Sequence, residues 1–208
     1  MSQRHQQLAR AVSLGGDKRT ITDFYDEWAG SYDSDVVETI GYVGHLITAD
    51  ALAARVRDDA QVLDVGCGTG LIAVELKKRK HSLRIDGIDL TRSMLNEAVG
   101  RNVYRRLTLG DLTGKLDFPD DCYDGIVSSG VFTTGHVGPS GLDELIRIAR
   151  PGAPIVLAVR DTAWEGEGFK AYIEELEAGG KIVIREVRLS TYLGNEGVFC
   201  QLCVLEVV

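Results

Sequence analysis

From residue 61 onward, short apolar runs alternate with amphipathic stretches of helical length. The spacing predicts strands over 61–65, 83–88, 106–109, 123–128 and 153–159. It predicts helices between them over 71–79, 92–99, 141–149 and 168–178, the last closed by Gly179-Gly180. Two further runs, 181–189 and 198–208, flank Gly194-Asn195-Glu196-Gly197 and read as a hairpin. Strand–helix alternation argues for a parallel sheet covered on both faces. The hairpin requires at least one antiparallel strand. The final run is almost continuously apolar, which places it inside the sheet and not at its edge.

Ahead of this alternation the pattern changes. Residues 1–19 are polar and end near Gly15-Gly16, which reads as a flexible tail. Residues 20–57 form a helical cap in two pieces, 20–33 and 45–57, the first carrying Phe24, Tyr25, Trp28 and Tyr32 at helical spacing. Residues 58–208 form the core of a single domain. No run approaches the roughly 20 apolar residues of a membrane helix, and the N-terminus lacks an apolar signal region. A cytosolic compartment is therefore expected, with the nucleus as an alternative. The net charge of -8 disfavours nucleic acid as a partner. Cys200 and Cys203 stand three apart in a strand, hence on opposite faces, and cannot share a metal ion. No metal site is expected.

The chemistry concentrates in Val62-Leu63-Asp64-Val65-Gly66-Cys67-Gly68-Thr69-Gly70, a strand, a glycine-rich turn and a helix start. Glycines let a backbone approach a ligand and adopt positive φ. In a doubly wound sheet the ligand lies at the carboxyl ends of the strands, where this turn sits. The spacing is G-x-G-x-G and departs from the G-x-G-x-x-G dinucleotide fingerprint, with Leu71 at that fingerprint's last glycine. Asp64 would face a pyrophosphate unfavourably but suits a cation bearing an amino group and a sulfonium. Asp89, 19 residues after Gly70 at the end of the next strand, can accept from two ribose hydroxyls. Leu90 and Met94 can flank an adenine. Asp111, after the third strand, can accept the adenine amino group, with the Leu112 N–H beside it.

VLDVGCGTG, IDGIDLTRSML, GDL, FPDDCYDGIVSS and ARPGAPIVLAV, in that order, resemble the class I S-adenosylmethionine-dependent methyltransferase family over residues 20–208. FYDEWAGSYD resembles the cap of the ubiquinone and menaquinone C-methyltransferase group. The resemblance implies an α/β, doubly wound, seven-stranded and mostly parallel sheet of order 3-2-1-4-5-7-6, with strand 7 antiparallel. It implies S-adenosylmethionine as cofactor and S-adenosylhomocysteine as product. It implies that Gly66, Cys67, Gly68 and Gly70 line the cofactor, that Asp64 anchors its methionyl end, and that Asp89 holds the ribose. Asp111 and Leu112 would hold the adenine, Ser128 would lie beside the methionyl group, and Tyr32 would close over it.

The acceptor is less legible. After the fourth strand stands Thr133-Thr134-Gly135-His136 in place of the family's usual acidic and aromatic run. No Asn/Asp-Pro-Pro-aromatic run and no Pro-Cys pair follows that strand, which disfavours adenine, glutamine and cytosine acceptors. A small molecule or a protein side chain remains, and the aromatic cap favours a small, partly apolar molecule. A hydroxyl or carbon acceptor needs a base, for which His136, His45 and Tyr32 are candidates, His136 the best placed. Residues 20–33 are expected to fold over the site when cofactor binds. Two rival readings stand beside the methyltransferase: a cofactor-binding module without transfer, and a nicotinamide-dependent oxidoreductase.

Overall fold

The computed structural model describes residues 7, 10, 11 and 14–208. Seven strands build one sheet: β1 (Gln61–Val65), β2 (Arg84–Asp89), β3 (Tyr104–Leu109), β4 (Gly125–Ser129), β5 (Pro154–Arg160), β6 (Ile182–Leu193) and β7 (Val198–Val207). Their order is β3-β2-β1-β4-β5-β7-β6. β7 runs antiparallel to both β5 and β6, and the other pairings are parallel. The expected topology is the observed one. The apolar last strand lies between β5 and β6, as its composition requires.

Alternation along the strands sorts side chains onto two faces. Leu63, Ile126, Ile155, Leu157, Cys203 and Leu205 enter one core. There they meet Leu142 and Leu145 of α5 (Gly141–Ile148) and Phe169 and Ile173 of α7 (Phe169–Ala178). Val62, Val127, Val156, Leu202 and Val204 enter the opposite core. That core is covered by Leu52 of α2 (Gly44–Ala53) and by Ile72 and Leu76 of α3 (Leu71–Arg79). Cys203 and Cys200 fall on opposite faces, both buried and both free thiols.

The cap departs from the sequence reading in its boundaries. Its first helix, α1, spans Lys18–Trp28 and starts earlier than residue 20, because Asp17 caps it by accepting from the Thr20 N–H at 2.8 Å. A π-helical turn, Ser34–Thr39, follows. α2 ends at Ala53, short of residue 57. Of the expected tail, residues 1–6, 8, 9, 12 and 13 lie outside the described residues. Ala11 and Leu14 are buried against Ile21, Phe24 and Trp28, so this part of the expected tail is packed. α4 (Arg92–Gly100) follows β2, and a short helix that the sequence reading omits, α6 (Asp161–Gly166), follows β5.

β4 corrects one site residue. It ends at Ser129, one residue beyond the predicted strand end. By alternation Ser128 shares the α5 face with Ile126, fully buried, and donates to the Val65 carbonyl at 2.8 Å. Ser129 is the serine on the cap side, where it accepts from the Tyr42 hydroxyl at 2.7 Å.

Asp64 is also placed differently from expectation. It is fully buried in β1 beneath the glycine turn, accepting from Tyr104 Oη at 2.7 Å, and its Oδ1 has no partner. Burial pushes its pKa up to about 7, Tyr104 opposing and the Asp89 charge reinforcing the rise. Between about pH 4 and pH 7 the unfolded chain sheds this proton while the folded chain keeps it. This carboxyl therefore erodes stability as pH rises through that window, and the loss is constant above it. We expect Asp64→Asn to stabilise the ligand-free protein at pH 8 by on the order of 2–4 kcal/mol, and not at pH 4. Urea unfolding at the two pH values checks this. An equal offset at both, or a loss at pH 8, would contradict it.

Candidate cofactor site

The turn after β1 is forced by close approach. Gly66 and Cys67 both donate their N–H to the Ile88 carbonyl, at 2.8 and 3.0 Å. Gly66 has φ +65°, and a Cβ there would lie 1.9 Å from Val131 Cγ2. The backbone thus occupies a position that no side chain can share. Gly68, at φ +52°, has open space where its Cβ would stand and lines a cavity of about 200 Å³.

That cavity runs from the carboxyl ends of β1, β2 and β3 to the loop after β4. Tyr32, Gly66, Gly68, Asp89, Leu90, Met94, Asp111, Leu112 and His136 all line it, as the sequence places them. Asp64, Cys67, Gly70 and Ser128 do not. Cys67 is turned under the loop, its Sγ 3.0 Å from where a Gly87 Cβ would stand. Gly70 is the left-handed residue from which α3 starts, at φ +94°, packed against Tyr104 and Arg101. Asp64 and Ser128 lie in the sheet, as described above. Asp64, Gly70 and Ser128 support the turn from outside the cavity wall, and Cys67 lines a smaller adjoining cavity.

Asp89 does more than face a ribose. Its Oδ2 accepts from the Gly68 N–H and its Oδ1 from the Thr91 N–H, each at 2.8 Å. Burial raises its pKa, and these two backbone donors oppose the rise. Asp111 is braced by Thr113, which donates through N–H at 2.9 Å and hydroxyl at 2.7 Å. Lys18, the first residue of α1, sits 3.0 Å from Asp111. Burial would lift the Asp111 pKa, but Thr113 and Lys18 outweigh it and hold the carboxyl below its usual value.

The cap is tied over this cavity at several points. The Gly16 N–H donates to the Gly135 carbonyl at 2.8 Å, and Asp33 accepts from Thr69 and Arg101. Tyr25 Oη lies 3.0 Å from His136 Nε2, and His136 Nδ1 lies 3.3 Å from the Thr134 carbonyl. A carbonyl can only accept, so Nδ1 carries the proton and Nε2 accepts from Tyr25. Burial lowers the His136 pKa, the Thr134 carbonyl opposing. Burial raises that of Tyr25, as do the charges of Tyr192 and Asp89. Both rings are thus neutral at physiological pH. The pairing of Tyr25 with His136, and the part of Lys18, carry no sequence signal, since each joins residues from separate elements.

The residues fit S-adenosylmethionine. The turn leaves backbone room at Gly68, two acidic side chains stand at successive strand ends, and Leu90 and Met94 supply apolar walls between them. Because Asp89 also pins Gly68 and Thr91, its loss acts twice. We expect Asp89→Asn, which keeps one acceptor, to weaken S-adenosylhomocysteine binding about tenfold. Asp89→Ala should weaken it further and lower the melting temperature by a few degrees, because two buried N–H groups lose their acceptor. Calorimetric titration and thermal melts of both variants check this. Unchanged affinity in Asp89→Ala would remove the carboxylate from the site.

Comparison with known proteins agrees with this geometry. Residues 62–152 match a family described as "Methyltransferase domain". Methyltransferase-like protein 27 of Homo sapiens is 32% identical over 164 residues, 76% of this chain and 66% of that protein. YDEWAGSYDSDV and SGVFTTGHVG also resemble the methyltransferase-like protein of the Williams–Beuren syndrome region. Demethylmenaquinone methyltransferase of Beutenbergia cavernae is 30% identical over 152 residues, 71% of this chain and 60% of that protein. The chain thus spans about two thirds or less of these relatives. Magnesium protoporphyrin IX methyltransferase from Synechocystis PCC 6803, solved with bound S-adenosylmethionine, shares the fold at a TM-score of 0.68 and 18% identity. That match covers 91% of this chain and 96% of the other. With its G-x-G-x-G turn, its strand-end acids and its sheet order, the chain belongs to the class I S-adenosylmethionine-dependent methyltransferase family, and S-adenosylmethionine is its cofactor.

Proposed function

We propose that the chain transfers a methyl group from S-adenosylmethionine to a small, uncharged acceptor that binds under the aromatic cap. The distribution of charge in the cavity carries this reading. Its charged lining residues are Lys18, Asp89 and Asp111, all at the nucleoside end. The other end is lined by Ile21, Tyr25, Tyr32, Ser129, Gly130, Val131, His136 and Val137, without a formal charge at neutral pH. A charged acceptor would be desolvated there without a partner. A protein side chain would have to pass the closed cap, so the small molecule is favoured over the protein acceptor.

Bound cofactor supplies a methyl group already activated by its sulfonium. The chain's own work is to align the acceptor with that methyl, exclude water and take up any proton released. Tyr25 and Tyr32 line the cavity, and the buried Phe24 and Trp28 pack behind them. Neutral His136, whose Nε2 accepts from the Tyr25 hydroxyl, can take up a proton from the acceptor end through Tyr25 as relay. Names of relatives such as Demethylmenaquinone methyltransferase are consistent with an apolar ring as acceptor.

A turnover screen tests the reading. The protein is incubated with methyl-labelled S-adenosylmethionine and fractionated metabolite pools. We expect label in a neutral, organic-soluble product, and a kcat lowered about 10²-fold or more in His136→Ala where that acceptor is a hydroxyl or carbon acid. Label confined to protein or to charged products would contradict the acceptor class. Cofactor binding with no transfer to any pool would favour a binding module without transfer.

A further inference from the structure

The uncharged end of the cavity includes Gly130, which has φ +94° and presents no side chain. A Cβ there would stand 3.7 Å from Tyr192 Oη. Tyr192 comes from β6, which runs past the predicted strand end at residue 189 to Leu193. The sequence pattern therefore gives no sign of it at the site.

Tyr192 is 7% exposed and packs in the core beneath the cap with Tyr42 and Cys200. Its ring meets that of Tyr42 edge-on, with centroids 5.3 Å apart. Gly44 of α2 lets these groups converge, since a Cβ there would lie 2.5 Å from Ser129 Oγ and 2.7 Å from Tyr192 Cε2. Burial pushes the Tyr192 pKa up to about 12, the Cys200 charge adding to the rise and Ser129, Arg160 and Tyr42 opposing it. The phenol is thus a neutral donor at physiological pH. Ser129 and Tyr42 are near enough to act on it, yet Tyr42 donates to Ser129, and among the described residues the Tyr192 hydroxyl completes no hydrogen bond. Buried hydroxyls are nearly always satisfied, so an open one beside a cavity wall points to a ligand. Burial raises the pKa of Tyr25 and of Tyr32, and nearby Tyr192 adds to both. Those two rings line the same end of the cavity.

We propose that Tyr192 is a specificity-determining residue for the methyl acceptor: its hydroxyl, reaching the cavity past Gly130, donates to a carbonyl oxygen of the small neutral molecule bound under the cap. This rests on the acceptor reading above and narrows it. The Tyr25 proton is engaged by His136 and the Tyr42 proton by Ser129, whereas Tyr192 keeps its own to give. A carbonyl oxygen, which only accepts, is its complement. The acceptor is then an apolar body with two polar points, the group that takes the methyl beside Tyr25 and a carbonyl beside Gly130. Arg160, the last residue of β5, is near enough for its charge to act on Tyr192 but lines neither cavity, so a hydroxyl and not a cation meets the ligand.

Probes of similar size test this on the full chain loaded with S-adenosylhomocysteine: acetophenone, cumene, which has no oxygen, and benzoate, which is an anion. NMR titration gives their affinities for the parent protein and for Tyr192→Phe. We expect the parent to prefer acetophenone to cumene by about fivefold, the worth of one neutral hydrogen bond. Tyr192→Phe should lose that preference and bind cumene as the parent does. The carbonyl carbon of 13C-labelled acetophenone should also shift downfield on binding to the parent, a signature that needs no variant and that a purely structural tyrosine would not give. Equal binding of acetophenone and cumene by the parent, or a preference that survives in Tyr192→Phe, would overturn the role of Tyr192 and leave the uncharged acceptor standing. Tightest binding of benzoate, or binding of none of the probes, would sink the acceptor reading itself.

Discussion

The turn between β1 and α3 must pass through space that admits no side chain. At Gly66 the left-handed backbone lies against Val131, from the loop after β4, and the next two strand ends converge on the same point. Ile88 holds the turn through its carbonyl, and Asp89 holds Gly68 from the other side. The loops after β1, β2 and β4 are therefore locked to one another by the chain's own contacts. A glycine-lined cavity follows from that lock, because backbone without side chains is what remains at the strand ends. The acids at positions 89 and 111 then stand at fixed heights along its wall. Such preorganisation leaves little ordering to be done on binding.

Much of this was legible in the sequence, for a physical reason. The mostly parallel sheet follows from alternating apolar runs, the interior place of the last strand from its apolarity, and the strand order from the family resemblance. The cavity residues Gly66, Gly68, Asp89, Leu90, Met94, Asp111 and Leu112 follow a local pattern, strand end then turn, that the chain writes contiguously. What was not legible depends on the exact strand end or on distant contacts. Alternation along β4 puts Ser129 and not Ser128 on the cap side, which depends on the strand running on through Ser129. The depth of Asp64 depends on Tyr104, which arrives from β3. The pairing of Tyr25 with His136 spans 111 residues, and no local spacing could announce it.

The cavity is electrostatically divided. The two carboxylates of its wall, Asp89 and Asp111, stand where a nucleoside would be held, and Lys18 from the cap balances the outer one. The cap end has aromatic rings, a neutral imidazole and hydroxyls. This division explains why one half of the site is read easily. Cofactor chemistry is shared across the family and demands acids at set positions, whereas the uncharged end of the cavity is defined by shape. Shape is built by packing of α1 on the loop after β4, and packing leaves only a diffuse trace in the sequence.

The account rests on the cavity being made for a cationic sulfonium nucleoside and not for a dinucleotide. Competitive calorimetric titration of the full chain with S-adenosylmethionine, S-adenosylhomocysteine and NAD tests this most directly. The account predicts binding of the first two in the micromolar range and no comparable binding of NAD. Tighter binding of NAD than of either sulfur nucleoside would contradict it.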